Sequence, residues 1–327
     1  MPDAEAPPLP APLAHPRRLV FLGTPAMAVP PLRALHAAGF EVALVVTGPD
    51  RRRGRGSATS PTPVKAAALE LGLTVTHDLA DVPAVGADLG VVVAYGQILR
   101  RPLLEALPMI NLHFSLLPRW RGAAPVERAI LAGDPTTGVC VMAVEEGLDT
   151  GGVYARREVE IERAERADAL GRPQVRRADA AELGALLADL GSELLVDTLA
   201  AGLGMPTPQA GETTYAAKIS TEDRRIDWGR TSEEIDRLVR IGGAWTTFRG
   251  KRLRVLSLDA TRGEERRTSG PGHVADACVG TADGEVVLLV VQPEGKAAMD
   301  GSAWSRGAQL GADEHLGAPL PGPAGAS

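Results

Sequence analysis

Asn111 and His113 stand two positions apart at the end of a short apolar run, in the order PMINLH. Residues i and i+2 of an extended strand share a face, so the amide and the imidazole point the same way and can converge on one reacting carbonyl. An amide N–H stabilises charge that develops on an oxygen, and an imidazole moves protons near neutral pH. Together they suit acyl transfer. A capped turn with a satisfied histidine would carry the same two residues, and spacing alone leaves both readings open. Asp149 follows the next apolar run, in EEGLDTGG. A carboxylate near His113 would favour the imidazolium and fix the ring, while an Asp opening a Gly-rich turn is the plainer alternative.

These groups need a scaffold, and the surrounding text supplies one. The apolar runs RLVFLG (18–23), EVALVVT (41–47), LGVVVAY (89–95), PMINL (108–112) and GVCVMAV (138–144) read as strands. They alternate with helical patterns at 29–38, 63–71, 98–104 and 125–131. Such alternation predicts an α/β fold with a doubly wound, mostly parallel sheet, whose ligands bind outside the carboxyl ends of the strands. A long helix is expected from about 179 to 200, with leucines at 183, 186, 187, 190, 194 and 195. Residues 202–214, rich in Gly, Pro and Thr, read as an interdomain linker. Beyond it, a helix at 232–240 and the runs AWTTF, RLRVLSL, GHVADACV and EVVLLVV predict a small β-rich barrel or sandwich. The division is therefore a tail at 1–16, a catalytic domain at 17–201, a linker at 202–214, a β domain at 215–317 and a tail at 318–327.

Composition narrows the class. With 327 residues, 44% of them hydrophobic and 23% charged, the chain can bury two cores, which excludes disorder throughout. A net charge of -6 argues against indiscriminate nucleic-acid binding but leaves a local basic patch open. Two such patches exist. Arg51, Arg52, Arg53 and Arg55 crowd a glycine-containing loop, and Arg240, Arg249, Lys251, Arg252 and Arg254 fall in a stretch without an acid, interleaved with Trp245 and Phe248. Cys140 and Cys278 lie 138 positions apart, which suggests neither a zinc site nor a disulfide and fits a reducing cytoplasm. Gly23 ends the first strand without the later glycines of a GxGxxG fingerprint, so no dinucleotide cofactor is expected. No run is long and apolar enough for a membrane span, and the proline-rich start is not a signal segment.

The segment NLHFSLLPRWRGAAP (111–125), followed by GVCVMAVEEGLDTG, resembles the folate-dependent formyltransferases. FLGTPAMAVPPL, GPDRRRGRGSATSPTPVK, VVVAYGQIL, YAAKISTEDRRIDW, GAWTTFRGKRLRV and QPEGKAAM bring it nearest to those members that act on initiator methionyl-tRNA. The resemblance implies a Rossmann-like formyltransferase domain followed by an OB-like barrel, in a monomer. It implies 10-formyltetrahydrofolate as formyl donor, initiator methionyl-tRNA as partner, and no metal. Matched residue by residue, it makes Asn111, His113 and Asp149 the catalytic trio. It places folate against Ser115, Leu116, Leu117 and Pro118, with Val93, Tyr95 and Gly96 as a second wall. It gives tRNA contacts to Arg51, Arg52, Arg53 and Arg55, foremost Arg55, while Arg249, Lys251, Arg252 and Arg254 are the basic face of the second domain. Three features depart from the family pattern: Phe114 where a small residue is usual, an apparent insertion at 163–177, and a shortened connection at 240–245. An amino-sugar-nucleotide formyltransferase and a non-catalytic tRNA-binding relative are the rival readings.

Overall fold

A computed structural model describes residues 8–52, 59–161, 163–167, 173–260 and 270–318. Their contacts divide the chain into two compact units, one of residues 1–126, 136–160 and 183–218, the other of residues 127–135, 161–182 and 219–327. The first is built on a seven-stranded sheet: β1 (Arg18–Gly23), β2 (Glu41–Val46), β3 (Val75–Thr76), β4 (Leu89–Val93), β5 (Met109–His113), β6 (Thr136–Ala143) and β7 (Val153–Glu160), in the spatial order β7-β6-β5-β4-β1-β2-β3. The run β5-β4-β1-β2-β3 is parallel, whereas β6 and β7 pair antiparallel at one edge. The central strands are nearly continuous apolar text because both faces are covered: Leu19, Val20, Phe21 and Leu22 are all fully buried. The carboxyl ends of β1, β4 and β5 are adjacent in register, so Gly23, Val93 and the end of β5 form one edge.

Helices fall close to their expected places, at Val29–Ala37, Pro63–Glu70 and Ala180–Ala201. Thr62 caps the second by accepting a hydrogen bond from the Lys65 amide, with proline in the first turn. The helix expected at 98–104 begins later, at Arg101, one residue before Pro102. The strand β7 was not expected: its residues VYARREVE alternate charged and half-buried positions, as suits an edge. The expected N-terminal tail is corrected for residues 8–16. Pro16 is buried, Leu9 packs against the first core, and the Ala14 carbonyl accepts from the Leu203 amide.

The second unit carries an antiparallel sheet in the order Trp245–Phe248, Lys251–Asp259, Glu285–Pro293, Cys278–Gly280, Val274–Ala275, with Met299–Asp300 also paired to Glu285–Pro293. Bulges interrupt Lys251–Asp259 at Val255 and Ser257, which bends that strand. Its inner face buries Val255, Val286, Leu288, Trp228 and Trp304 in one cluster. The run GHVADACV is two strands, separated by Asp276 and Ala277, both at positive φ. Within the apparent insertion, the backbone of Arg163–Ala167 pairs antiparallel with that of Pro173–Arg177.

Candidate active site

The structure brings Asn111, His113 and Asp149 together. Asn111 and His113 occupy the carboxyl end of β5, and the loop after β6 folds Asp149 back onto their face. The Asn111 amide donates to Asp149 Oδ1 at 3.4 Å, and His113 Nδ1 lies 3.7 Å from Asp149 Oδ2. His113 is only 5% exposed. Its Nε2 is 2.9 Å from the Trp120 carbonyl, which can only accept, so Nε2 carries a proton. In the neutral ring the unprotonated nitrogen is therefore Nδ1, the one that faces the carboxylate. The Trp120 carbonyl thus selects the tautomer, and the Asp149 carboxylate faces the other ring nitrogen.

Asp149 is itself held from three sides. Its Oδ2 accepts the Gly122 amide at 2.8 Å, and its own carbonyl accepts the Gln209 side-chain amide at 2.8 Å. Its backbone has φ +51°, a left-handed conformation that Asp tolerates better than most residues. Gly122 has φ +124°, and a Cβ there would lie 2.8 Å from the Ala216 carbonyl oxygen. Glycine thus lets the turn after β5 bring its amide to the carboxylate. That turn is tied down at both ends: Trp120 N–H donates to Thr214 Oγ1, Arg121 N–H to the Thr214 carbonyl, and Ala123 N–H to the Ala216 carbonyl. Sequence reasoning missed Gln209 and Thr214, because both lie in or beside a segment whose composition reads as a spacer.

Several neighbouring groups are buried as well. Cys140 pairs with His113 across the strands and is fully buried, and loss of solvation pushes its thiol pKa up. The expected folate wall divides in the same way. Ser115 is buried with its hydroxyl donating to the Arg119 carbonyl, Leu117 packs with Cys140 and Met142, and Pro118 is buried behind a cis peptide bond. Leu116 lies against the backbone of Gly138. Tyr95 is 5% exposed within the apolar core, where burial raises its pKa, so the expected wall has Val93 and Tyr95 turned inward and presents mainly backbone and Gly96. Ile98 and Leu148, in the loops after β4 and β6, are the exposed apolar side chains there, at 86% and 61%.

The basic residues are placed unevenly. Arg51 and Arg52 pair as backbone with Thr59–Ser60, whereas Arg53 and Arg55 lie outside the described residues. In the second unit, Arg249 is engaged within its own fold: it pairs with Glu314, donates to the Ala308 and Gln309 carbonyls, and stacks 4.7 Å from the Phe248 ring centroid. Arg252 lies 4.1 Å over the Trp245 ring, Arg254 donates to Gln292, and both line a cleft of about 580 Å³. Lys251 is exposed. Trp245 is buried and Phe248 packs edge-on to Trp304, so these aromatics belong to the core and are not open platforms for bases. Among the described residues no group of three or more His, Cys, Asp or Glu is placed to hold a metal ion.

A doubly wound sheet that sets an amide, an imidazole and a carboxylate at one strand end defines a formyltransferase-like class, and the comparisons agree. Residues 17–183 match the formyl transferase family and residues 218–309 its C-terminal domain. The chain is 42% identical to methionyl-tRNA formyltransferase of Ruegeria pomeroyi over 309 residues, covering 89% of this chain and 97% of that protein. It is 43% identical to that of Rhizorhabdus wittichii over 324 residues, covering 92% and 99%. The chain belongs to the methionyl-tRNA formyltransferase family. Among solved structures, HypX of Aquifex aeolicus in complex with tetrahydrofolic acid shares the fold at TM-score 0.58 and 20% identity, covering 89% of this chain and 47% of that one. An N-formyltransferase of Helicobacter canadensis, in complex with folinic acid and dTDP-3-aminofucose, does so at 0.58 and 16%, covering 84% and 98%.

Proposed function

We propose that the chain transfers the formyl group of 10-formyltetrahydrofolate to the α-amino group of methionyl-initiator tRNA, giving N-formylmethionyl-tRNA. The supporting observation is the convergence of Asn111, His113 and Asp149 in a chain 42% identical, over nine tenths of its length, to proteins bearing that name. The amine nitrogen attacks the formyl carbon, the new C–N bond forms as the bond to N10 breaks, and one proton passes from the amine to N10. One Asn111 N–H is turned to Asp149, and the other is offered to the formyl oxygen as charge builds on it. His113 Nδ1 takes the proton while Nε2 stays bonded to Trp120, and Asp149 stabilises the imidazolium. No covalent nucleophile and no metal enters this reading.

The donor is assigned to the strand end at Val93, Tyr95 and Gly96 and to Ser115, Leu116, Leu117 and Pro118, chiefly through main chain. Catalysis is assigned to residues 17–201 and tRNA binding to 215–317, joined at 202–214, in the cytoplasm where charged tRNA and reduced folate meet. Arg51, Arg52, Arg53, Arg55, Arg249, Lys251, Arg252 and Arg254 are assigned to the tRNA backbone. The amino-sugar alternative has only a fold likeness behind it, whereas the close relatives match both halves of the chain. Incubation with methionyl-initiator tRNA and 10-formyltetrahydrofolate is expected to give N-formylmethionine, detected after mild alkaline release from the tRNA. Absence of product would instead favour a tRNA-binding protein that has kept the fold.

A further inference from the structure

The Gln209 side chain is a two-sided connector within the first unit. Its amide nitrogen donates to the carbonyls of Asp149 at 2.8 Å and Gly151 at 2.7 Å. Its oxygen accepts both Nη2 and Nε of Arg121, at 2.7 and 3.1 Å. Only this orientation of the amide satisfies all four contacts, since the carbonyls can only accept and the guanidinium can only donate. The backbone that carries Gln209 is fixed as well: Thr207 and Val153 exchange both hydrogen bonds, and a Cβ on Gly152 would lie 2.9 Å from Pro206. Arg121 directly precedes Gly122, whose amide binds the Asp149 carboxylate. One amide therefore ties together the two backbone segments that present the carboxylate, one through the Asp149 carbonyl and one through Arg121.

We infer that Gln209 is a positioning residue for formyl transfer, holding Asp149 in its left-handed conformation so that the carboxylate meets His113 Nδ1. The inference rests on the proposed function. It assigns residues 202–214 a role in the chemistry of the first unit in addition to joining the chain. Gln209→Glu is the discriminating variant, because it keeps the Arg121 partner and the side-chain volume but sets an acceptor against two carbonyls.

The test measures formylation kinetics for wild type, Asp149→Asn, Gln209→Glu, Gln209→Ala and the double variant Gln209→Glu/Asp149→Asn. Gln209→Glu is expected to lower kcat about 10- to 100-fold by misplacing a catalytic group, with KM for tRNA and for the formyl donor within about threefold of wild type. Gln209→Ala is expected to lose less, and it decides the matter should the charged variant fail to fold. In the Asp149→Asn background the Gln209→Glu change is expected to cost less than about twofold, because coupled residues are not additive. Wild-type kcat in both Gln209 variants, a loss confined to the KM for tRNA, or full additivity with Asp149→Asn would each overturn the inference. An inactive wild-type protein would overturn the proposed function instead.

Discussion

The catalytic loop and the basic strand face are held in different ways. Asp149 is fixed by directional hydrogen bonds to Gly122, Asn111 and Gln209 on a left-handed backbone, so a small displacement removes a contact entirely. Lys251, Arg252 and Arg254 lie on the part of their strand that precedes its bulges, where each charge adds a graded attraction that salt screens. A site that must place single atoms uses backbone constraint. A surface proposed to hold a polyanion relies on repeated charge, so that each member contributes a share.

The sharpest way to break this contrast is His113→Asn. Removing the proton carrier is expected to lower kcat by about 10²- to 10⁴-fold with little change in either KM; near-normal turnover in steady-state formylation would end the assignment. Gly122→Ala comes next. A side chain at φ +124° and 2.8 Å from the Ala216 carbonyl is expected to destabilise the chain by about 1–3 kcal/mol in denaturant unfolding, and to lower kcat with it. On the basic face, Lys251→Ala and Arg254→Ala are expected to raise the KM for tRNA roughly threefold to tenfold and to reduce its dependence on log salt by about one each, with kcat unchanged. A fall in kcat without salt dependence would erase the distinction between the two regions.

The smallest effect concerns Asp88. The backbone amides of Arg18 and Arg17 donate to its carboxylate and hold its pKa below the ordinary value. The folded pKa is depressed, so its stabilisation is complete above the unfolded value of about 4 and is lost as the pH falls through the folded one. Asp88→Asn is expected to be less stable than wild type at pH 7 by about 1 kcal/mol at most. The gap should close on acidification below pH 4 in thermal melts.

Much of the scaffold was legible because buried parallel strands are continuous apolar runs and the helices between them carry proline in the first turn, at Pro30, Pro63 and Pro102. Asn111 and His113 were legible because an i, i+2 spacing on a strand fixes a shared face. Three features were not. Gln209 reaches Asp149 across 60 positions from a stretch that looks like a spacer, and nothing local marks its amide as a connector. Trp245 and Phe248 sit among arginines in the sequence, yet Trp245 to Thr247 are three consecutive buried residues, so no alternation marks which side chain is covered. The edge strand Val153–Glu160 and the helix Gly301–Ala308 carry charge or glycine where a confident pattern would show apolar residues.

The anchoring of Thr207, Gln209 and Thr214 bears on how the protein can be divided. A fragment ending at Ala201 would contain every side chain of the proposed trio, yet Asp149 would have lost the amide bound to its carbonyl. Extending the fragment through Lys218 retains that amide, the Thr214 contacts of the neighbouring turn and the pairing of Tyr215–Ala216 with Arg121–Gly122. The seventeen residues that follow the long helix therefore belong with the first unit, and a gene split at the helix end would separate that unit from part of its own interior.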